Sequence, residues 1–434
     1  MNLILFIIIF IFIIVLILII LKHIKMTRYL NYNSTFITGG KFNPSDIYYQ
    51  DNIELHTKEE IIKNYLKEYV NAPDTASVIF NSGASESIAN MFLWAKEISK
   101  FGVVVGSILD HPTVKENADN FGMEYTMIDF KKNEITLPED TVMMFITGVS
   151  PKTGEIFPMS KIKKYNYLSE HEDSINNTVR QIKPLKVLDA SQMIGKIKID
   201  MIKDDLNAVF FSCHKFGGEF NTGVLIVNDG IIKYKPLIAG SQQEHMRGGT
   251  YNAYAYQNIN KLLNEYSSQY NEKECKEIYE TFIKELDKNK IEYYKPKLNH
   301  LYNTILIHLH GCNAKAIHTL AEYGIYVGSS TACTNSKKVK ELRISYLNKS
   351  EFGKNTISKI CKIIKEVDID DNDDNEIDKD DDNDKIDDNN KIDNDDINDK
   401  NDNKILDKEN GEIEEEIDKV NKLNDILKFE EEYI

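Results

Sequence analysis

Short apolar runs alternate with amphipathic stretches from residue 57 onward. "ASVIF", "VVVGSI", "YTMIDF", "VMMFIT", "LKVLDAS", "NAVFFS" and "TGVLIV" each read as a strand. Such unbroken apolar runs suit strands covered on both faces. Between them, "HTKEEIIKNYLKEYV" carries apolar residues at helical spacing, with Thr57 as its expected cap, and "GASESIANMFLWAKEIS" opens a second helix on small polar residues. Strands alternating with helices predict an α/β fold with a largely parallel sheet. From Thr250 to about Asn289 the pattern turns helical and amphipathic, leading out of this large domain. "NTILIHL", "YVGS" and "LRISY", with helices over 313–322 and 354–365, predict a smaller C-terminal α/β domain.

The two ends break this pattern. Leu3 to Leu21 is an uninterrupted run of apolar residues, followed by Lys22, His23, Lys25 and Arg28. That length nearly spans a bilayer's hydrocarbon core. Basic residues after the run place the bulk of the chain on the cytoplasmic side. A single-pass membrane anchor over 1–25 is therefore expected. At the other end, residues 368–404 hold eighteen acidic residues against five lysines, −13 of the chain's net −16. A stretch so poor in apolar surface is expected to be disordered. The last stretch spaces Ile413, Ile417, Val420, Leu423 and Leu427 three or four apart. This predicts an amphipathic helix, either partner-binding or solvated. The expected organisation is an anchor over 1–25, a large domain over 26–250, and a connecting helix with a small domain over 251–366. An acidic segment over 367–404 and a terminal helix over 405–434 complete it.

With the tail set aside, the remainder is close to neutral and offers no basic face for nucleic acid. The five cysteines are scattered, without a CxxC pair, which excludes a disulfide scaffold or zinc site and suits a reducing compartment.

The chemistry-bearing residues cluster where strands end. "FFSCHKFGGEF" puts Lys215 just past an apolar run, in a glycine-rich turn. Ligands in open parallel sheets sit beyond the carboxyl ends of strands, and a lysine there can form a Schiff base with an aldehyde cofactor. Asp189 ends "LKVLDAS", placed to hold a pyridine nitrogen protonated. "NSGASES" runs from a strand through Gly83, Ala84 and Ser85 into a helix, whose first amides suit an anion. His111, in "LDHPTV", can stack on a ring and move a proton.

Together these motifs resemble the class V aminotransferases with fold type I, and specifically the NifS-like cysteine desulfurases, over roughly residues 38–365. "FNPS", "SGASES", "DHPTV", "LDASQMIGKIKID", "SCHKFGG", "QQEHMRGGTYN", "SSTACT" and "LRIS" fall in the family's order. The resemblance implies pyridoxal 5'-phosphate as cofactor. It assigns Ala84, Ser85, Ser212 and His214 to the phosphate, His111 to ring stacking and Asp189 to the ring nitrogen. Gln192 goes to the ring hydroxyl and Lys215 to the covalent link. Thr250 would reach the phosphate bound in a neighbouring subunit, which implies a homodimer. Cys333 would accept sulfur from L-cysteine as a persulfide and pass it to an acceptor protein. Arg343 would hold the substrate carboxylate, a task suited to a bidentate guanidinium. The chain departs from the pattern at "SPKTGEIFP", where Ser150-Pro151 stand in place of an asparagine, and at Glu244-His245, where an arginine is expected. The residues leave two alternatives open: another amino-acid substrate on the same fold, or a membrane-tethered inactive scaffold.

Overall fold

The computed structural model describes residues 28–29, 53–129, 136–164, 169–173, 178–228, 234–249, 251–311, 313–329, 340–353 and 355–375. The run 3–21, Thr250, Cys312, Cys333 and the terminal stretch lie outside them. Among the described residues no helix is long and apolar enough to cross a membrane.

A seven-stranded sheet organises the large domain. Its strands are β2 (Ser77–Asn81), β3 (Val103–Ser107), β4 (Glu124–Ile128), β5 (Thr141–Thr147), β8 (Leu185–Asp189), β9 (Ala208–Ser212) and β10 (Gly223–Val227). They lie in the order β2-β10-β9-β8-β5-β3-β4. Only β10 runs against the rest of this sheet.

Alternation along each strand builds two cores. Val78, Phe80, Ile146, Leu188, Val209 and Phe211 face one layer, which includes Ile62 and Leu66 of α1 (Ile53–Tyr69). Ile79, Phe145, Val187, Phe210 and Leu225 face the other. That second layer is covered by α2 (Ala84–Ile98), through Met91, Phe92 and Trp94, and by α3 (Pro112–Phe121), through Val114 and Ala118. Burial on both faces explains why the inner strands read as continuous apolar runs, while the edge strand β4 is partly exposed. At about 25 cal/mol per Å², each such buried side chain contributes roughly 1.5–3 kcal/mol.

Four sequence expectations are corrected. First, α1 begins at Ile53, so Thr57 lies within the helix and is not its N-cap. Second, the amphipathic stretch after Thr250 is broken into a turn at Ala253–Tyr256, α4 (Ile259–Gln269) and α5 (Glu272–Asn289). Asn271 ends the run by capping α5, its side chain accepting from Glu274 N; an Asn side chain competes with the helical backbone in this way. Third, the crossover from β5 to β8 holds a 3-10 turn and the hairpin β6 (Ser169–Asp173) and β7 (Thr178–Ile182). Fourth, the last described helix, α7 (Thr356–Asn375), runs past residue 367 into the acidic stretch.

The small domain pairs β11 (Thr304–His308), β14 (Glu341–Ser345) and β13 (Gly328–Ser329). α5, α6 (Asn313–Glu322) and α7 cover it around Phe282, Leu320, Ile344 and Ile364. Beside it, β1 (Arg28–Tyr29) pairs in parallel with β12 (Ile325–Tyr326).

Candidate active site

The carboxyl ends of β2, β3, β5, β8 and β9 point to one edge of the sheet, and the motif residues follow directly from them. At the end of β2, Gly83 holds φ at +138°, a conformation open to glycine. Its N–H donates to Asn81 Oδ1 at 3.0 Å, and Asn81 Nδ2 donates to Ser87 Oγ at 2.8 Å. The N-cap of the helix that starts at Ala84 is Gly83 itself, which has no side chain to offer. Ser212, at the end of β9, accepts from Ala84 N at 2.9 Å, so it braces this turn from the neighbouring loop. Gly223 is required for that approach, since a Cβ there would meet Gly83 Cα at 2.5 Å. Ser85 is exposed on the first turn.

A second group of residues, unforeseen from sequence, fixes α2. Arg247 grips Glu86 through Nε at 3.0 Å and Nη2 at 3.2 Å, and Glu86 also accepts from Ser82 N. Gln243 pairs its amide with Phe80 N and O, covering the open edge of β2. This holds Gln243, Glu244 and His245 in the left-handed region, where side chains are strained.

His111 caps α3. Its Nδ1 accepts from Thr113 N at 3.2 Å, so the neutral ring keeps its proton on Nε2. Burial first, then the nearby Lys215 ammonium, holds its pKa below the ordinary 6.5. Before it stands Asp110, also missed from sequence. Its carboxylate accepts from Ser107 N at 2.7 Å, Ser107 Oγ at 3.1 Å, Tyr125 OH at 2.9 Å and Thr147 Oγ1 at 2.7 Å. Burial pushes its pKa up to about 6, against the pull of those donors. Asp110→Ala is expected to lower unfolding stability by about 1–3 kcal/mol, because several donors lose one acceptor. A urea midpoint equal to that of the unsubstituted protein would contradict this.

Asp189 ends β8 at 8% exposure, with Oδ1 accepting from Ser191 N at 2.8 Å. Burial raises its pKa from the ordinary 3.8, while Ser191, His111 and Lys215 pull it back. Gln192 is buried beside it in sequence. Lys215 sits half-buried on the 3-10 turn Cys213–Phe216, which Gly217 closes at φ 95°. His214 stacks on Phe220, ring centroids 6.1 Å apart.

A cavity of about 470 Å³ opens over Lys215 and His111 and extends to Arg343 on β14. Arg343 is 3% exposed and donates from Nη1 to Pro151 O at 3.0 Å. The same cavity meets Glu155, 1% exposed, which accepts from Tyr294 OH, Lys297 N and Leu298 N. The structure thus brings together Lys215, His111 and Asp189 by mutual charge influence, and joins Arg343 to the first two in one cavity. The positions of Thr250 and Cys333 lie outside the described residues.

Residues 26–352 match the family model described as aminotransferase class-V. The chain belongs to that family. It is 26% identical over 328 residues to a cysteine desulfurase, IscS, of Dictyoglomus turgidum, covering 70% of this chain and 78% of that protein. A solved NifS-like protein shares the fold with a TM-score of 0.63 at 19% identity, over 79% of this chain and 99% of its own. The apo structure of a cysteine desulfurase from Thermococcus onnurineus NA1 does so at 0.62 and 16%, over 79% and 95%.

Pyridoxal phosphate is the cofactor of the class V aminotransferases, and the residues present fit it. The start of α2, whose N-cap Gly83 carries no side chain, offers the amides beyond Ala84 to a phosphate. A carboxylate as buried as Asp189 calls for a cationic partner such as a protonated ring nitrogen. Lys215 stands beside it with an amine that can be neutralised covalently.

Proposed function

We propose that this class V aminotransferase is a cysteine desulfurase that converts L-cysteine to L-alanine and leaves sulfur on Cys333 as a persulfide. The observation that carries this reading is the single cavity that joins Lys215 and His111 to Arg343, with Asp189 behind them at the sheet edge. The cofactor, when bound, supplies an electron sink for carbanionic charge.

The chain's residues do the rest. The amides of the first turn of α2, with Ser85, Ser212 and His214, would hold the phosphate. Asp189 keeps the ring nitrogen protonated. Arg343 fixes the substrate carboxylate, and Lys215 moves the Cα proton. His111, neutral at pH 7 with its proton on Nε2, donates or accepts at that atom. The Cys333 thiolate takes the substrate sulfur: the carbon–sulfur bond breaks, a sulfur–sulfur bond forms, and alanine leaves.

The same reading takes the protein as a homodimer that hands sulfur to an acceptor protein. The run 3–21 anchors it as a single-pass protein with the catalytic domain on the cytoplasmic side.

Purified protein given L-cysteine and a thiol reductant is expected to release alanine and sulfide in equal amounts. Alanine without sulfide, or neither product from protein carrying pyridoxal phosphate, would overturn the proposal.

A further inference from the structure

We propose that Lys152 and Glu341 are positioning residues that aim Arg343 at the substrate carboxylate, an inference that rests on Arg343 having that role. In the register of β11 and β14, Leu306 lies opposite Arg343 and His308 opposite Glu341. Residues two apart on a strand share a face, and all four line the cavity that holds Lys215. The loop after β5 comes across to meet this face. Pro151 O accepts from Arg343 Nη1 at 3.0 Å, while Lys152 Nζ lies 2.7 Å from Glu341 Oε2. His308 Nδ1 stands 3.8 Å from Glu341 Oε1.

Two consecutive loop residues therefore grip two alternate strand residues. The carbonyl that orients the buried guanidinium is held in place by an ion pair next to it. That pair is partly exposed, its side chains 42% and 23% accessible. Such a pair adds little to fold stability, so its loss leaves the protein folded and loosens the aim. Bidentate capture of a carboxylate depends on that aim.

Glu341 has a second consequence. Its carboxylate lies on Arg343's own face, about 7 Å along the strand. Lys152 neutralises it at 2.7 Å; without Lys152 its charge competes with substrate for the guanidinium. The two single losses are therefore unequal.

The test uses holoprotein and two readouts: steady-state kinetics with L-cysteine, and calorimetric binding of L-alanine. Lys152→Ala is expected to raise KM and the alanine Kd about five- to tenfold with kcat within about twofold, and Glu341→Ala to raise both only about twofold. The double variant K152A/E341A falls back to the level of Glu341→Ala, and the charge swap K152E/E341K restores binding. Lys152→Ala binding alanine as the unsubstituted protein does, or double-variant losses that simply add, would overturn the inference. So would failure of the unsubstituted holoprotein to bind any α-amino acid. The expected pattern of alanine binding with no sulfide from cysteine would refute the desulfurase reading alone. Full desulfuration with unaltered variants would refute the clamp alone.

Discussion

Lys215→Ala is expected to yield a folded protein without the visible absorbance of covalently held pyridoxal phosphate, and with turnover reduced by about 10²–10⁴-fold or more. Lys215 is half-buried on a 3-10 turn whose backbone is set by Gly217 and by the Gly218 N to Cys213 O bond at 2.9 Å. With the turn fixed by these backbone features, the thermal midpoint should move by only a few degrees. The loss falls on chemistry because, among the described residues, the other lysine lining this cavity is Lys152, which is engaged with Glu341. A variant that keeps both colour and turnover would remove Lys215 from the reaction.

Cys333→Ala is expected to keep the colour and lose sulfide release by at least about 100-fold, the scale of removing a nucleophile. The argument comes from the other cysteines. Cys213, Cys275 and Cys361 are buried, and burial pushes each thiol up to about 12. At neutral pH such thiols hold a negligible thiolate fraction, and the thiolate is the nucleophile. None of these three can take over. Cys312→Ala, the remaining single-cysteine control, should retain activity. Sulfide release that survives Cys333→Ala would refute the assignment, and its loss in Cys312→Ala would transfer the role to that residue.

The clamp and the Asp110 node differ from these two sites in how visible they were beforehand. Asp110 sits one residue from a motif histidine, and the Ser107-x-x-Asp110 spacing is a local turn signal. Yet its partners Tyr125 and Thr147 come from two other strands. Glu155 offered no signal: its donors Tyr294, Lys297 and Leu298 lie some 140 residues away. "SPKTGEIF" read only as a departure from a motif, whereas in the fold it docks the small domain, with Ile156 N on Asn299 O and Leu301 N on Gly154 O. Ser212 is a phosphate candidate, and its hydroxyl also fastens Ala84 from the end of β9, across β10 from β2.

By itself the amino-acid sequence determined the buried strands and the turns after them, and pointed to Lys215 and Asp189 as candidates. These depend on local pattern: doubly covered strands must be apolar throughout, and chemistry collects where such strands end. Only the tertiary structure decided which distant groups neutralise the buried charges, how Arg343 is aimed, where the amphipathic stretch after Thr250 breaks, and what fills the crossover from β5 to β8. Those outcomes turn on contacts between segments far apart in the chain, and no period of two or 3.6 residues encodes them.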